Sequence, residues 1–172
     1  KPGAAHFAFD MLTKGTKAHD AATLAKDLDF HAISLGGSTD EDSAEVGGSC
    51  LKEKLPLAMA YLAEVVLTPT FPDGELRILK EQVITDLMVD ESDPGELASR
   101  HFDRLLYGAH PYARRVTGEV TDVKALARDD VAAFWTGRAL PETATLVLAG
   151  DVTVAEAKAL ASNHLGTWKP AN

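Results

Sequence analysis

The sequence predicts an α+β protein in which helices outnumber strands, and two observations indicate this. Apolar residues recur at the spacing of amphipathic helices in two long segments. These stripes comprise Leu55, Ala58, Leu62, Val65 and Val66, and then Leu76, Leu79, Val83 and Leu87. Between Ala32 and Leu51, short Gly- and Ser-rich segments flank the acidic run DED. That pattern is typical of two strands joined by a polar turn.

Several helices carry recognisable start signals. Residues 4–13 are apolar on nearly every side, which is typical of a buried helix. Asp20 is placed as the N-cap of a second helix. Asp93, followed directly by Pro94, predicts the start of a helix that runs to about Tyr107. These signals place helices before and after the predicted hairpin.

The last third of the chain alternates shorter elements. Helical patterns surround 123–126 and 131–135, and a final helix is predicted from Val154 to about His164. Residues 143–152, TATLVLAGDV, show the clearest strand alternation and end at a Gly-Asp stop. Three strands are few for a sheet that must cover so many helices. No linker interrupts the pattern, so we expect a single domain.

Composition excludes several classes of function. The 172 residues are 45% hydrophobic and 25% charged, the balance of a soluble globular domain. A net charge of -9 argues against sequence-independent binding to nucleic acid or to an anionic membrane surface. No apolar run is long enough for membrane insertion. The single cysteine, Cys50, excludes an intrachain disulfide and leaves the compartment open.

Polar residues on apolar helix faces are the candidate functional residues. His6 and Asp10 share one side of the first helix, and Asp86 follows Leu79 and Val83 on a stripe predicted to face inward. A buried carboxylate must be paired, hydrogen-bonded or bound to a metal. The three residues could be zinc ligands. Alternatively, His6 and Asp10 satisfy each other, and Asp86 accepts from a hydroxyl or backbone donor.

The remaining histidines form no ligand spacing with a second residue. We expect them at the surface or at the edge of the core. They are His19, His31, His101, His110 and His164.

The stretch 6–16, HFAFDMLTKGT, resembles the motif helix of the pitrilysin/insulinase family of zinc peptidases, the inverzincins, which includes the mitochondrial processing peptidase. The family motif is H-x-x-E-H, commonly within H-F-L-E-H-M-x-F-K-G-T. The family's third ligand, a glutamate, follows after roughly 76 residues, and 76 residues after Asp10 stands Asp86. LYGAHPYAR and LVLAGDV are similar to later family segments, so the resemblance covers essentially the whole chain.

The resemblance implies a more specific fold. Family domains are α+β sandwiches of a mostly antiparallel sheet with packed helices. They usually begin with two strands before the motif helix, whereas only KPG precedes AAHFAFD here. We therefore expect residues 1–172 to be a single pitrilysin/insulinase-like domain, N-terminally incomplete relative to the family.

The resemblance also implies that the catalytic chemistry is lost. In active members two histidines and the distant glutamate hold zinc, and the motif glutamate takes a proton from the metal-bound water. The corresponding positions here are His6, Asp10 and Asp86, with Phe9 in the place of the general base. Phenylalanine cannot accept that proton. The expected site has no catalytic residue and no cofactor, apart from a zinc that would be held weakly.

A second departure concerns the strand that binds substrate in active relatives. The family's Asn-Ala pair falls on Gly36 and Gly37. In active relatives this edge accepts an extended peptide by strand addition. The two glycines keep the backbone groups but remove the side-chain contact. Gly36 and Gly37 are therefore the candidate substrate-edge residues.

Three functions follow from the resemblance. The first is a non-catalytic domain that pairs with an active peptidase domain or subunit of the same family to enclose and bind peptide substrate. The second is an active zinc metallopeptidase with altered ligands. The third is a structural scaffold subunit. On the first hypothesis, the acidic charge would favour basic peptides.

Overall fold

A computed structural model describes residues 1–169 as eight α-helices and a two-stranded antiparallel sheet. The α+β class is as predicted, with helices in the majority. The helices are α1 Ala4–Asp10, α2 Ala21–Phe30, α3 Leu55–Leu67, α4 Asp73–Asp90, α5 Pro94–Tyr107, α6 Val120–Ala125, α7 Arg128–Arg138 and α8 Val154–Leu165. The strands are β1 Ser34–Thr39 and β2 Ala44–Ser49.

The predicted hairpin forms around an aspartate turn. The Asp40 carboxylate accepts the backbone N–H groups of Asp42 at 2.8 Å and Ser43 at 2.6 Å. These hydrogen bonds are the local interaction that makes aspartate a turn residue. In the resulting register, Gly36 lies opposite Gly47 and Gly37 lies opposite Val46.

Helix α1 lies at the centre of the core. Phe7, Ala8 and Met11 are completely buried, and α1 packs against α7 and β1. Trp135 of α7 is buried as well, and its indole Nε1 donates to the Val66 carbonyl of α3 at 3.1 Å. Because a buried indole N–H needs an acceptor, this hydrogen bond fixes α7 against α3. Helix α1, which carries the HFAFD residues and is called the motif helix below, packs its Phe9 ring against the Trp135 ring of α7.

Two predicted helix starts are confirmed. The Asp20 carboxylate accepts from the backbone N–H of Thr23 at 2.8 Å, at the start of α2. The Asp93 carboxylate accepts from Gly95 at 2.7 Å and Glu96 at 3.1 Å, at the start of α5. Both residues satisfy amide groups that have no partner within the helix.

The strand predicted at residues 143–152 is wrong. A short 3-10 turn, Pro141–Thr143, is followed by a segment that pairs with no strand among residues 1–169. We call residues 144–149 the open segment; its Val147 is 78% exposed. Alternation indicates which side chains would share a face, but a strand also needs a hydrogen-bonded neighbour. Within residues 1–169, β1 and β2 pair only with each other.

Helix α5 is strongly amphipathic, yet none of its residues is buried. Its exposed apolar residues include Phe102, Leu105 and Leu106. Such a face within the described part of the chain is available to another surface. No helix between residues 1 and 169 combines the length and the apolar character that a bilayer crossing needs.

Candidate functional site

Two cavities flank the motif helix. The first, which we call the cleft, has a volume of about 430 Å³, and both His6 and Asp86 line it. The second, which we call the groove, has a volume of about 270 Å³ and is lined by Asp10, Gly36 and Gly37. A third cavity of about 540 Å³ involves residues 70–73 and 127–129 and none of the predicted site residues.

His6 and Asp10 form a pair along one side of α1. The His6 Nε2 atom lies 3.6 Å from Asp10 Oδ2, and the side chains are 18% and 28% exposed. Burial raises the pKa of the Asp10 carboxyl, and the charges of His6 and Lys14 act in the opposite direction. At this separation the two groups interact as an ion pair when His6 is protonated, and they do not form a hydrogen bond.

The prediction that Asp86 faces inward is wrong. Asp86 is exposed, and the buried residues of α4 are Leu76, Val83 and Leu87. Successive helical residues are separated by about 100° around the axis. Leu87 takes the inward position, which turns Asp86 toward the cleft. As an exposed carboxylate it needs no buried partner.

The three candidate ligands do not fit a zinc ion. Zinc sites require three or four nitrogen, oxygen or sulfur donors at about 2.0–2.3 Å from one point. His6 and Asp86 line the cleft, whereas Asp10 lines the groove. Within residues 1–169, no group of three or more His, Cys, Asp or Glu side chains could hold a metal ion.

Phe9, which the sequence resemblance aligns with the general base of active relatives, is used for packing. Its ring lies 5.2 Å from the Trp135 ring at an interplanar angle of 71°, an edge-to-face contact. Such pairs contribute about 0.5–1.5 kcal/mol beyond area burial. The residue packs against the hydrophobic core and lines neither the cleft nor the groove.

Gly36 and Gly37 lie beside α1, and they differ in their surroundings. A Cβ atom built on Gly37 would stand 2.3 Å from the carbonyl oxygen of Phe9, whereas one built on Gly36 meets nothing within 4 Å. Gly37 is therefore required by the close approach of β1 to the motif helix. Within the described chain β1 pairs only with β2, so its other edge carries no strand.

The cleft is rich in charge, with more carboxylates than arginines among its lining residues. The carboxylates are Glu41, Asp86, Asp90, Glu96 and Asp103, and the arginines are Arg100, Arg114 and Arg115. Arg115 Nη1 binds Asp90 Oδ2 at 2.9 Å. The buried Arg100 Nε has no hydrogen-bond acceptor within residues 1–169. Sequence reasoning missed both arginines, because arginines on polar stretches carry no local signal.

A hydrogen bond ties the loop that follows α5 to the hairpin turn. The Tyr112 hydroxyl donates to Asp42 Oδ2 at 2.6 Å. This bond to a carboxylate raises the pKa of the Tyr112 hydroxyl. The Tyr112 ring also packs edge-to-face on the rings of Tyr107 and His110. Residues 112–115, at the end of the LYGAHPYAR segment, line one side of the cleft.

The motif helix, the neighbouring sheet edge and the cleft walls are the parts of the fold that carry the candidate residues. The sequence profile of the insulinase family, peptidase family M16, matches residues 1–119. The chain belongs to this family. The family identified from the sequence resemblance is thus confirmed.

Known relatives include proteins named as peptidases and one named as a non-peptidase. The chain is 28% identical over 165 residues, 96% of its length, to an uncharacterized zinc protease of Mycobacterium leprae, of which it spans 37%. It is 27% identical over 152 residues, 88% of its length, to a non-peptidase homolog of Helicobacter pylori, of which it spans 35%. The chain thus covers well under half of each relative.

A solved structure has the same fold over almost the whole chain. The crystal structure of an inactive domain of peptidase M16 from Pseudomonas fluorescens superposes with a TM-score of 0.91 at 27% identity. The match covers 99% of this chain and 42% of that one. The α+β fold predicted from the resemblance is therefore confirmed.

Zinc content is the direct test of the altered ligand set. We expect the chain, prepared without a histidine tag, equilibrated with micromolar zinc and desalted, to retain well below one zinc per chain by elemental analysis. The double variant Asp10→His, Asp86→Glu restores the family's ligand types, so one zinc retained by this variant would show that the side-chain types, rather than their placement, exclude the metal. One zinc on the unmodified chain, lost in His6→Ala, would contradict the prediction.

Proposed function

We propose that this chain is a non-catalytic domain of the M16 family that pairs with an active domain or subunit and helps to enclose and bind peptide substrate. The observation that carries the proposal is the contact of Phe9 with Trp135 in a retained motif helix. That contact gives a packing role to the position where active relatives hold the general base. The inactive domain from Pseudomonas fluorescens and the non-peptidase homolog of Helicobacter pylori are precedents within the family.

Three features support peptide binding beside the motif helix. One edge of β1 pairs with β2, and the other edge has no paired strand within residues 1–169. Gly36 and Gly37 lie on β1, and an extended peptide can pair with a free edge of this kind. The three arginines that line the cleft carry guanidinium N–H donors, which suit peptide carbonyl groups. The excess of carboxylates over arginines in the cleft favours a peptide with basic side chains.

Two features support a partner domain. The exposed apolar residues of α5 and of the open segment form surface that monomeric proteins usually cover. The chain also spans only 37% of the relative from Mycobacterium leprae and 42% of the chain that contains the inactive domain. A second domain of the same family is the occupant that the resemblance suggests.

The experiment is a reconstitution with a family subunit that carries an intact H-x-x-E-H motif and is encoded by the same organism. We expect no cleavage of an arginine-containing fluorogenic peptide by this chain alone. When the two proteins are combined, association by analytical ultracentrifugation and a rise in the partner's cleavage rate are expected together. The His6→Ala variant of this chain should raise the partner's cleavage rate to the same extent as the unmodified chain does, because the His6 imidazole takes no part in the chemistry.

Other outcomes would favour the two alternatives. Cleavage by the chain alone, abolished by a chelator and by His6→Ala, would indicate a metallopeptidase with altered ligands. Association without any change in cleavage would indicate a scaffold subunit. If the two proteins do not associate and the cleavage rate does not rise, that result contradicts the pairing itself.

A further inference from the structure

A histidine between two carboxylates holds the loop that follows the motif helix. This loop, residues 15–20, lies against α2 and α3. The Nδ1 atom of His19 is 2.7 Å from Glu64 Oε1 on α3, and its Nε2 atom is 3.7 Å from Asp27 Oδ2 on α2. Each ring nitrogen thus faces a carboxylate from a different helix, although the residues are distant in sequence.

Thr16 joins the same cluster from inside the loop. Its hydroxyl donates to Glu64 Oε1, and the backbone N–H groups of Ala18 and His19 donate to its Oγ1 at 3.2 and 2.9 Å. The backbone N–H of Thr16 also donates to the His19 carbonyl at 2.8 Å. Thr16 is 7% exposed. Glu64 therefore connects both ends of a tight turn to α3.

The groups that face the imidazole are acidic or neutral. Glu64 and Tyr61 face it from α3, Asp27 from α2 and Asp20 from its own loop. The hydrogen bond with Glu64 raises the pKa of His19, the charges of Asp27 and Asp20 add to this, and partial burial opposes it. A neutral imidazole can donate from only one ring nitrogen and would present a lone pair to the other carboxylate.

We propose that His19 is a protonation-dependent clamp, whose imidazolium form holds the loop 15–20 against α2 and α3 and whose neutral form releases it. The loop continues directly from Thr13 and Lys14, which line the groove beside Gly36 and Gly37. Release of the loop therefore loosens one wall of the groove. The clamp rests on its own cluster of residues and is independent of whether the chain binds peptide.

The direction of the pH dependence follows from linkage. The folded-state pKa of His19 lies above its ordinary value of 6.5, so the folded state binds the proton more tightly than the unfolded chain does. The stabilisation from the clamp is complete below that ordinary value. It is lost as the pH rises through the folded-state pKa. The loop is thus clamped in mild acid and released on the alkaline side.

The first test is an NMR titration of the imidazole in the whole 172-residue chain. We expect His19 to titrate above 6.5 and to move back toward 6.5 in Glu64→Gln. A His19 that titrates at or below 6.5 in the unmodified chain would overturn the proposal. This measurement needs no variant at position 19, so it holds even if a substitution there prevents folding.

The second test measures the loop itself by amide hydrogen exchange, corrected for the intrinsic pH dependence of exchange. At about pH 5.5, protection of the amides in 16–20 is expected to be at least about tenfold greater in the unmodified chain than in His19→Gln, the scale of one net hydrogen bond to a charged group. The difference should shrink as the pH rises through the folded-state pKa of His19 and vanish once the imidazole is fully neutral. His101→Gln, on the exposed side of α5, is the matched control. Equal protection in His19→Gln and the unmodified chain at about pH 5.5 would overturn the clamp.

Discussion

Replacing Gly37 by alanine is expected to destabilise the protein by about 2–3 kcal/mol, the cost of forcing an extra carbon into a filled space. The added Cβ would stand 2.3 Å from the carbonyl oxygen and 2.7 Å from the carbonyl carbon of Phe9. Both atoms belong to the backbone of α1, so no side-chain rotation can relieve the overlap. Either β1 or the motif helix must move.

The matched control for Gly37→Ala is the adjacent glycine. Gly36→Ala adds the same carbon to the same strand, where nothing lies within 4 Å. We expect its free energy of unfolding to stay within about 0.5 kcal/mol of the unmodified chain. Urea unfolding followed by circular dichroism measures both variants. Equal effects at the two positions would show that general strand propensity, rather than the contact with Phe9, decides the outcome.

The second large effect is expected from Phe7→Ala, at about 3–5 kcal/mol, because a completely buried aromatic side chain is removed from the centre of the core. Domains of this size are usually stable by about 5–15 kcal/mol. The variant is therefore expected to lose a large part of its stability, with a clear fall in the urea midpoint.

Phe30 provides the control for the same change of side chain. It is 83% exposed at the end of α2, so Phe30→Ala should change the free energy of unfolding by less than about 0.5 kcal/mol. His6→Ala, next to Phe7 but on the cleft side, is expected to cost far less than Phe7→Ala. A large loss in His6→Ala would mean that the His6 and Asp10 pair stabilises the fold.

The features predicted correctly from the sequence depend on local interactions. Asp20 and Asp93 cap their helices through backbone groups two or three residues away. The hairpin around Asp40 is likewise stabilised within its own turn. The amphipathic stripe of α4 placed Leu76 and Val83 in the core correctly. Such short-range interactions leave a direct signature in the order of residues.

The wrong predictions concern features that depend on tertiary packing and on strand pairing with other parts of the chain. Asp86 was also assigned to the stripe that ends at Leu87, but the two side chains lie about 100° apart on α4, and only Leu87 is buried. Residues 143–152 alternate as a strand does, but alternation does not supply a pairing partner. The resemblance to the family was more informative than these local patterns, because it used matches spread over the whole chain.

The His19 cluster was missed for a related reason. His19 and Glu64 are 45 residues apart, and neither residue stands in a motif that indicates the other. The sequence placed His19 at the surface or core edge, and its side chain is 26% exposed. A weak signal was present in the turn, where Thr16 precedes His19 by three residues, a spacing at which a hydroxyl can cap backbone amides.

The open segment has a practical consequence for handling this protein. Both backbone edges of the open segment are free of strand partners within residues 1–169. Its side chains Leu146 and Val147 are apolar and exposed. Edges of this kind template pairing between separate molecules, and charged residues placed on them suppress it. The concentration at which this chain aggregates is therefore expected to depend more on the open segment, residues 144–149, than on the net charge of -9. The substitution Val147→Lys is expected to raise that concentration without changing the motif helix.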